Sequence, residues 1–133
     1  MVIGECNCGA VRFEADFTPE GIYVCHCSIC RRFTGTNGNA VVVVNSRDFR
    51  WTSGEVLIST WKKPGQDWQM WFCSVCGSQL PGENSESTTF IPAGSITSGD
   101  EDLQVIHHIW VGSKASWDEI GDAGRQHHEG FKA

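Results

Sequence analysis

Basic residues are few and scattered. Ten lysines and arginines stand against sixteen acidic residues, for a net charge of −6 and an isoelectric point near 5.2. Only Arg31-Arg32 and Lys62-Lys63 are adjacent basic pairs. Affinity for a phosphate backbone rests on clustered Lys and Arg, so no nucleic-acid partner is expected. No stretch approaches the ~18 apolar residues of a membrane helix, so no membrane partner is expected either. The amino-terminal run MVIGECNC has neither the positive start nor the apolar run of an export signal, and a cytoplasmic location follows as the expectation. Also missing are a phosphate-cradling glycine loop, a Ser-His-Asp arrangement, a paired-carboxylate motif, an internal repeat and a low-complexity linker. A chain of 133 residues is long enough for one domain with a real core and too short for two ordinary ones, so residues 1–133 are read as a single domain.

The periodicity is that of many short strands. Ala10–Glu14 alternates, with Val11 and Phe13 on one face. Ile22–Cys25 is a short apolar run, and Ala40–Val44 is apolar on both faces, as a central buried strand would be. Phe49–Thr52 and Val56–Trp61 flank Ser53-Gly54 and read as a hairpin. Trp68–Cys73, Phe90–Ala93 and Leu103–Val111 complete the set. Fifteen glycines at turn-like places support many tight turns. Helical signals are confined to a turn around Arg31–Phe33 and another at Trp117–Ile120, and the polar tail after Gly121 reads as loop. The fold class is therefore mainly β.

Seven cysteines fall in three groups: Cys6 and Cys8 as C-x-C, Cys25, Cys27 and Cys30 as C-x-C-x-x-C, and Cys73 and Cys76 as C-x-x-C. Disulfides are rare in the cytosol, and an odd number would leave one thiol over. Thiolates at these spacings fold onto one ion, because a tight turn brings two sulfurs within roughly 4 Å, the edge of a tetrahedron with Zn–S near 2.3 Å. Gly9 and Gly77 follow the second cysteine of each pair, where a positive φ lets such a knuckle turn. The seven divide as four plus three, a closed Cys₄ site and an open three-thiolate site. The arithmetic also permits one pair completing the triplet's coordination, or a redox role for C-x-x-C.

The segments GECNCGAVRF, CHCSICRRFTG and FCSVCGSQL, in this order, resemble the family of glutathione-dependent formaldehyde-activating enzymes and centromere protein V. The later HHIWVGSKASW resembles that family's last strand and the tryptophan after it. The resemblance implies several short, coiled antiparallel β-sheets stapled by zinc knuckles, related to methionine sulfoxide reductase B. It implies a structural zinc on Cys6, Cys8, Cys73 and Cys76. It also implies a second, labile and catalytic zinc on Cys25, Cys27 and Cys30. The activity implied is that of a carbon–sulfur lyase acting on a small-molecule thiol–aldehyde adduct, with glutathione as the candidate thiol. The alternatives are a non-catalytic zinc module that binds a partner protein, and a thiol or metal sensor.

Around the triplet, Arg31 and Arg32 are candidates to offset thiolate charge or hold a substrate carboxylate. Together with Cys25, Cys27 and Cys30 they form the expected catalytic set. His108, on a strand face with Ile106 and Trp110, is a candidate for binding the thiol cofactor beside Arg31 and Arg32. His26 reads as a donor behind the ligands or as a knuckle residue facing solvent. Thr34-Gly35 reads as a pocket floor or a turn, His107 as exposed, and His127-His128 as solvated. The tryptophans read as core.

Overall fold

A computed structural model describes residues 1–16 and 20–130. The first strands in chain order are β1 (Val2–Glu5), β2 (Arg12–Ala15), β3 (Ile22–Cys25), β4 (Asn39–Asn45), β5 (Phe49–Ser53) and β6 (Ile58–Lys62). They are followed by β7 (Gln69–Cys73), β8 (Gly82–Glu83), β9 (Thr88–Pro92), β10 (Ile96–Ser98), β11 (Val105–Ile109) and β12 (Arg125–Gln126). The helix α1 (Ser28–Thr34) lies between β3 and β4. The protein is mainly β, in several small sheets with one short helix, as expected. It divides into two compact units. The first takes the start of the chain and Val43–Asp102, and the second takes the segment ending at Val42 and the segment from Leu103 on.

The first unit holds an antiparallel sheet in the order β10-β1-β2-β5, an antiparallel ribbon of β6 and β7, and the antiparallel pair β8 and β9. The alternation in β2 and the residue before it works as predicted. Val11 and Phe13 are fully buried, while Arg12 between them is exposed. The Phe13 ring stacks on Phe49 at 5.7 Å and meets the edge of Trp51 at 6.1 Å. Burial of each such side chain contributes about 1.5–3 kcal/mol. A second apolar cluster joins Cys6, Val11, Cys73 and Leu80, with Trp51, Leu57, Ile58 and Trp71 packed against it.

The expected hairpin across Ser53-Gly54 is not formed. β5 pairs with β2, whereas β6 pairs with β7. Gly54, at φ 72°, starts a single 3₁₀ turn over Glu55–Leu57 that separates the two strands. The tryptophans also depart from the expectation of a buried set. Trp61 and Trp110 are exposed, and Trp117 is 69% exposed.

The second unit holds β12, β11, β3 and the first part of β4, in that order. β3 pairs antiparallel with β4, but β11 runs parallel to both β3 and β12, a departure from the expected all-antiparallel pairing. Parallel neighbours need a long connection, and here residues 26–104 intervene between β3 and β11. β4 was expected to be buried on both faces. Val42 and Val44 are buried, while Ala40, Val41 and Val43 are only half-buried, so one face dominates. The Arg31–Phe33 turn is a full helix, α1. No helix forms at Trp117–Ile120. The bond from Asp118 N–H to the Ala115 carbonyl (3.1 Å) closes one turn and is not continued. The tail is not all loop, because β12 pairs with β11 through His107/Arg125 and His108/Gln126. Among the described residues, no helix is long and apolar enough to cross a membrane.

Candidate metal centres

The first unit gathers Cys6, Cys8, Cys73 and Cys76 with all four sulfurs within 4.8 Å of one another. The Cys6 and Cys8 sulfurs are 3.5 Å apart, and those of Cys8 and Cys73 are 3.8 Å apart. A zinc tetrahedron with bonds near 2.3 Å has edges of ~3.8 Å, so this donor set fits the ion. Both knuckles close as the glycine positions require. Gly9, at φ 76°, donates its N–H to the Cys6 carbonyl (2.9 Å), and Gly77, at φ 77°, donates to the Cys73 carbonyl (2.8 Å). The Val11 N–H points to the Cys6 sulfur at 3.4 Å. Ser78, which the sequence did not single out, ties the knuckles together. Its Oγ accepts the Asn7 N–H at 2.9 Å and lies 3.2 Å from the Cys76 sulfur. The Ser78 hydroxyl and then its backbone amide bring the Cys76 thiol down to about 5. Deprotonation at neutral pH is what a metal ligand needs.

The second unit gathers Cys25, Cys27 and Cys30, again within 4.8 Å of one another. Cys25 ends β3, Cys27 is the N-cap of α1, and Cys30 is buried in its first turn. The Cys27 sulfur accepts the Cys30 N–H at 3.3 Å, so one ligand caps the helix that carries another. The Cys30 thiol donates to Cys25 and brings it down to about 6, while Cys30 itself is pushed far up by Cys25 and by burial. Three thiols so close cannot all lose protons unless a cation joins them, and three sulfurs leave a tetrahedral ion one free position. This set also fits zinc. All seven thiols are free.

The other predicted site residues divide sharply. Arg31 and Arg32 follow Cys30 on α1. Arg31 is half-buried, and its Nε is buried without a hydrogen-bond partner, whereas Arg32 is exposed. Thr34-Gly35 terminates the helix. Gly35 donates its N–H to the Arg31 carbonyl (2.8 Å), and the Thr34 hydroxyl lies 3.0 Å from the Cys30 carbonyl. His26 does not face solvent; it is completely buried, as is nearly all of His108. Their rings share a 2.8 Å hydrogen bond between His26 Nε2 and His108 Nδ1. Burial, and then His108, lower the His26 pKa. His107 is half-buried and its Nδ1 lies 2.9 Å from Nε2 of His127, which is itself half-buried, so neither is the solvated residue expected. His128 is exposed as expected. Asn37, Asp118 and Asp122, which no sequence motif marks, complete the histidine network. A separate open cleft of about 350 Å³ lies in the first unit between Trp51, Trp71, Ile58 and Glu83.

Comparison with known proteins places this geometry. Residues 1–113 match the family described as "Glutathione-dependent formaldehyde-activating enzyme". A curated protein of Halomonas elongata, named provisionally as a glutathione-dependent formaldehyde-activating enzyme, is 34% identical over 88 residues. That match covers 60% of this chain and 54% of the relative, so the chain spans about half the length of the curated protein it matches. A crystal structure of a Rhodobacter sphaeroides protein shares the fold, with a TM-score of 0.60 at 21% identity, over 72% of this chain and 88% of that one.

Proposed function

The chain belongs to the glutathione-dependent formaldehyde-activating enzyme family, and from that premise we propose that it is a zinc-dependent carbon–sulfur lyase. Its substrate is the adduct of a small thiol, with glutathione as the candidate, and a small aldehyde or related electrophile. The observation that carries this reading is the triplet: three cysteines, half-buried or buried, converge, and among the described residues no fourth Cys, His, Asp or Glu joins the set. A zinc ion held there would stabilise a sulfur anion in its open position. In the reaction, a thiolate sulfur adds to the aldehyde carbon as the carbonyl π pair moves to oxygen, which takes a proton. The reverse breaks the carbon–sulfur bond and returns the proton.

The chain's own residues then have distinct parts. Cys25, Cys27 and Cys30 hold the centre. Arg31, with an orphaned Nε beside Cys30, holds a substrate carboxylate, and Arg32 extends the positive rim from the exposed side of α1. His108, expected at the cofactor, is instead committed to His26 and Asp122 inside the unit, so we assign it no direct contact with the thiol. Cys6, Cys8, Cys73 and Cys76 hold the structural ion. A cytoplasmic, reducing location belongs to the same proposal, since seven free thiols would not persist under oxidation.

The test uses zinc-restored protein with glutathione and small aldehydes, following adduct formation and decay. Cys27→Ser should abolish turnover while leaving the fold intact, because a serine oxygen still caps α1. Absence of acceleration with any thiol, together with no thiol-induced change at the triplet metal, would turn the reading to a binding module.

A further inference from the structure

The middle residue of the motif Cys25-His26-Cys27 has partners at its backbone N–H and at both ring nitrogens. His26 is fully buried, whereas the cysteines on either side are only half-buried. In extended backbone successive side chains alternate. His26 therefore turns inward from between two residues whose thiols converge on the triplet. It is fixed at both ends of its ring and along its backbone. The backbone N–H donates to the Ile109 carbonyl on β11 (2.9 Å). Nδ1 lies 3.2 Å from the Asn37 carbonyl oxygen and 3.5 Å from Asp118 Oδ2. Nε2 shares its 2.8 Å bond with His108 Nδ1.

The chain of bonds continues outward. His108 Nε2–H donates to Asp122 Oδ1 (2.8 Å), which also accepts the Gly124 N–H (2.8 Å). Asp118, itself buried, accepts from Asn37 Nδ2 (3.2 Å). Two stretches far apart in sequence, 26–37 and 108–122, thus meet in this network. With both ring nitrogens engaged, His26 is no ligand, and the converging thiols do not include it.

The triplet needs such an anchor more than the four-cysteine site does. The four-cysteine ligands come from two segments that a folded, apolar core holds together. The triplet's ligands come from six consecutive residues, and no distant ligand pins them. Resting on the reading of the triplet as a metal centre, we infer that His26, His108 and Asp122 form a positioning network. It sets Cys25 and Cys27 at ligand spacing through the backbone between them, and so tunes the triplet's metal affinity. Loss of outer partners at a metal site typically weakens affinity by roughly 10–100-fold.

The test loads full-length protein with zinc or cobalt(II), then measures chelator extraction and cobalt–thiolate absorption. His108→Ala should weaken metal binding at the triplet by roughly 10–100-fold. It should also shift the cobalt bands of that site while leaving the four-cysteine ion's extraction unchanged. Asp122→Ala, at the half-exposed end of the chain, should do the same to a smaller extent, and Asp122→Asn, which keeps an acceptor, should restore wild-type behaviour. Unaltered triplet affinity and cobalt spectrum in both alanine variants would overturn the inference and leave the lyase reading standing. Equal weakening at both sites would overturn it as mere loss of fold. A wild-type triplet that binds no metal would overturn both.

Discussion

The two cysteine clusters solve the same problem by opposite means. In the first unit, Cys6 and Cys73 are themselves part of an apolar core with Val11 and Leu80. Cys8 and Cys73 are separated by 65 residues, so an ion there would close a long loop and contribute directly to folding. In the second unit the cysteines are local, and three polar side chains, His26, His108 and Asp118, are buried alongside Val24, Val42 and Ala115. A buried polar network rigidifies a site when satisfied and destabilises it when broken. On the proposed reading, the local cysteine run, which cannot staple a fold, takes its order from the hydrogen bonds behind it, and the remote cysteine set would supply order to its surroundings.

The largest effect is expected at Cys76. Cys76→Ser removes a ligand of the site that joins distant segments. It should abolish cooperative unfolding of the protein and release that ion, as read by circular dichroism and zinc analysis. A soluble variant with an unchanged melting curve would mean that the four-cysteine site is not structural. Phe13→Ala tests the same unit without touching a ligand. Truncation of this buried ring should cost about 3–5 kcal/mol in denaturant unfolding, and a triplet metal affinity that fell with it would erase the distinction between the units.

Smaller effects sharpen the second site. Arg31→Ala should weaken binding of a carboxylate-bearing thiol by about 1–3 kcal/mol, the worth of a charge-assisted hydrogen bond. Arg32→Ala, at an exposed position, should do less. Equal binding of glutathione and a thiol without carboxylates would remove the role given to Arg31. The smallest expected effect is on pH dependence. His26 is held below its ordinary value of 6.5 by burial and by His108. Asp122 is held below 3.8 by its bond from His108 and by the Gly124 amide. Both groups bind more protons unfolded than folded, so their contribution is complete above about pH 6.5 and declines as the solution becomes more acid. Thermal midpoints measured from pH 7 to pH 3 should fall, and Asp122→Ala should flatten the lower end of that fall. A midpoint that rises with acid would contradict the sign.

Local features were legible in the sequence, and partnerships were not. Val11 and Phe13 announce their shared face by alternation, and Gly9 and Gly77 announce the knuckle turns by position. The three cysteine groups needed only spacing. By contrast, β5 and β6 look like a hairpin because they are neighbours in sequence, yet each finds a better partner elsewhere. The burial of His26 depends on His108, 82 residues away, and neither residue's neighbours hint at the other. Asp118 and Asp122 stand in a polar stretch where an aspartate ordinarily faces solvent. Only the parallel seating of β11 beside β3, with Ile109 opposite Cys25, brings that stretch to the back of the triplet.

We read the triplet as an open metal site and the four-cysteine cluster as a closed one. The most direct measurement is a glutathione titration of protein carrying cobalt(II) at both sites, followed by visible absorption. A saturable change in the triplet's cobalt bands is expected as a fourth sulfur enters, with the four-cysteine bands unmoved. Bands that stay constant at both sites, or change equally at both, would contradict it.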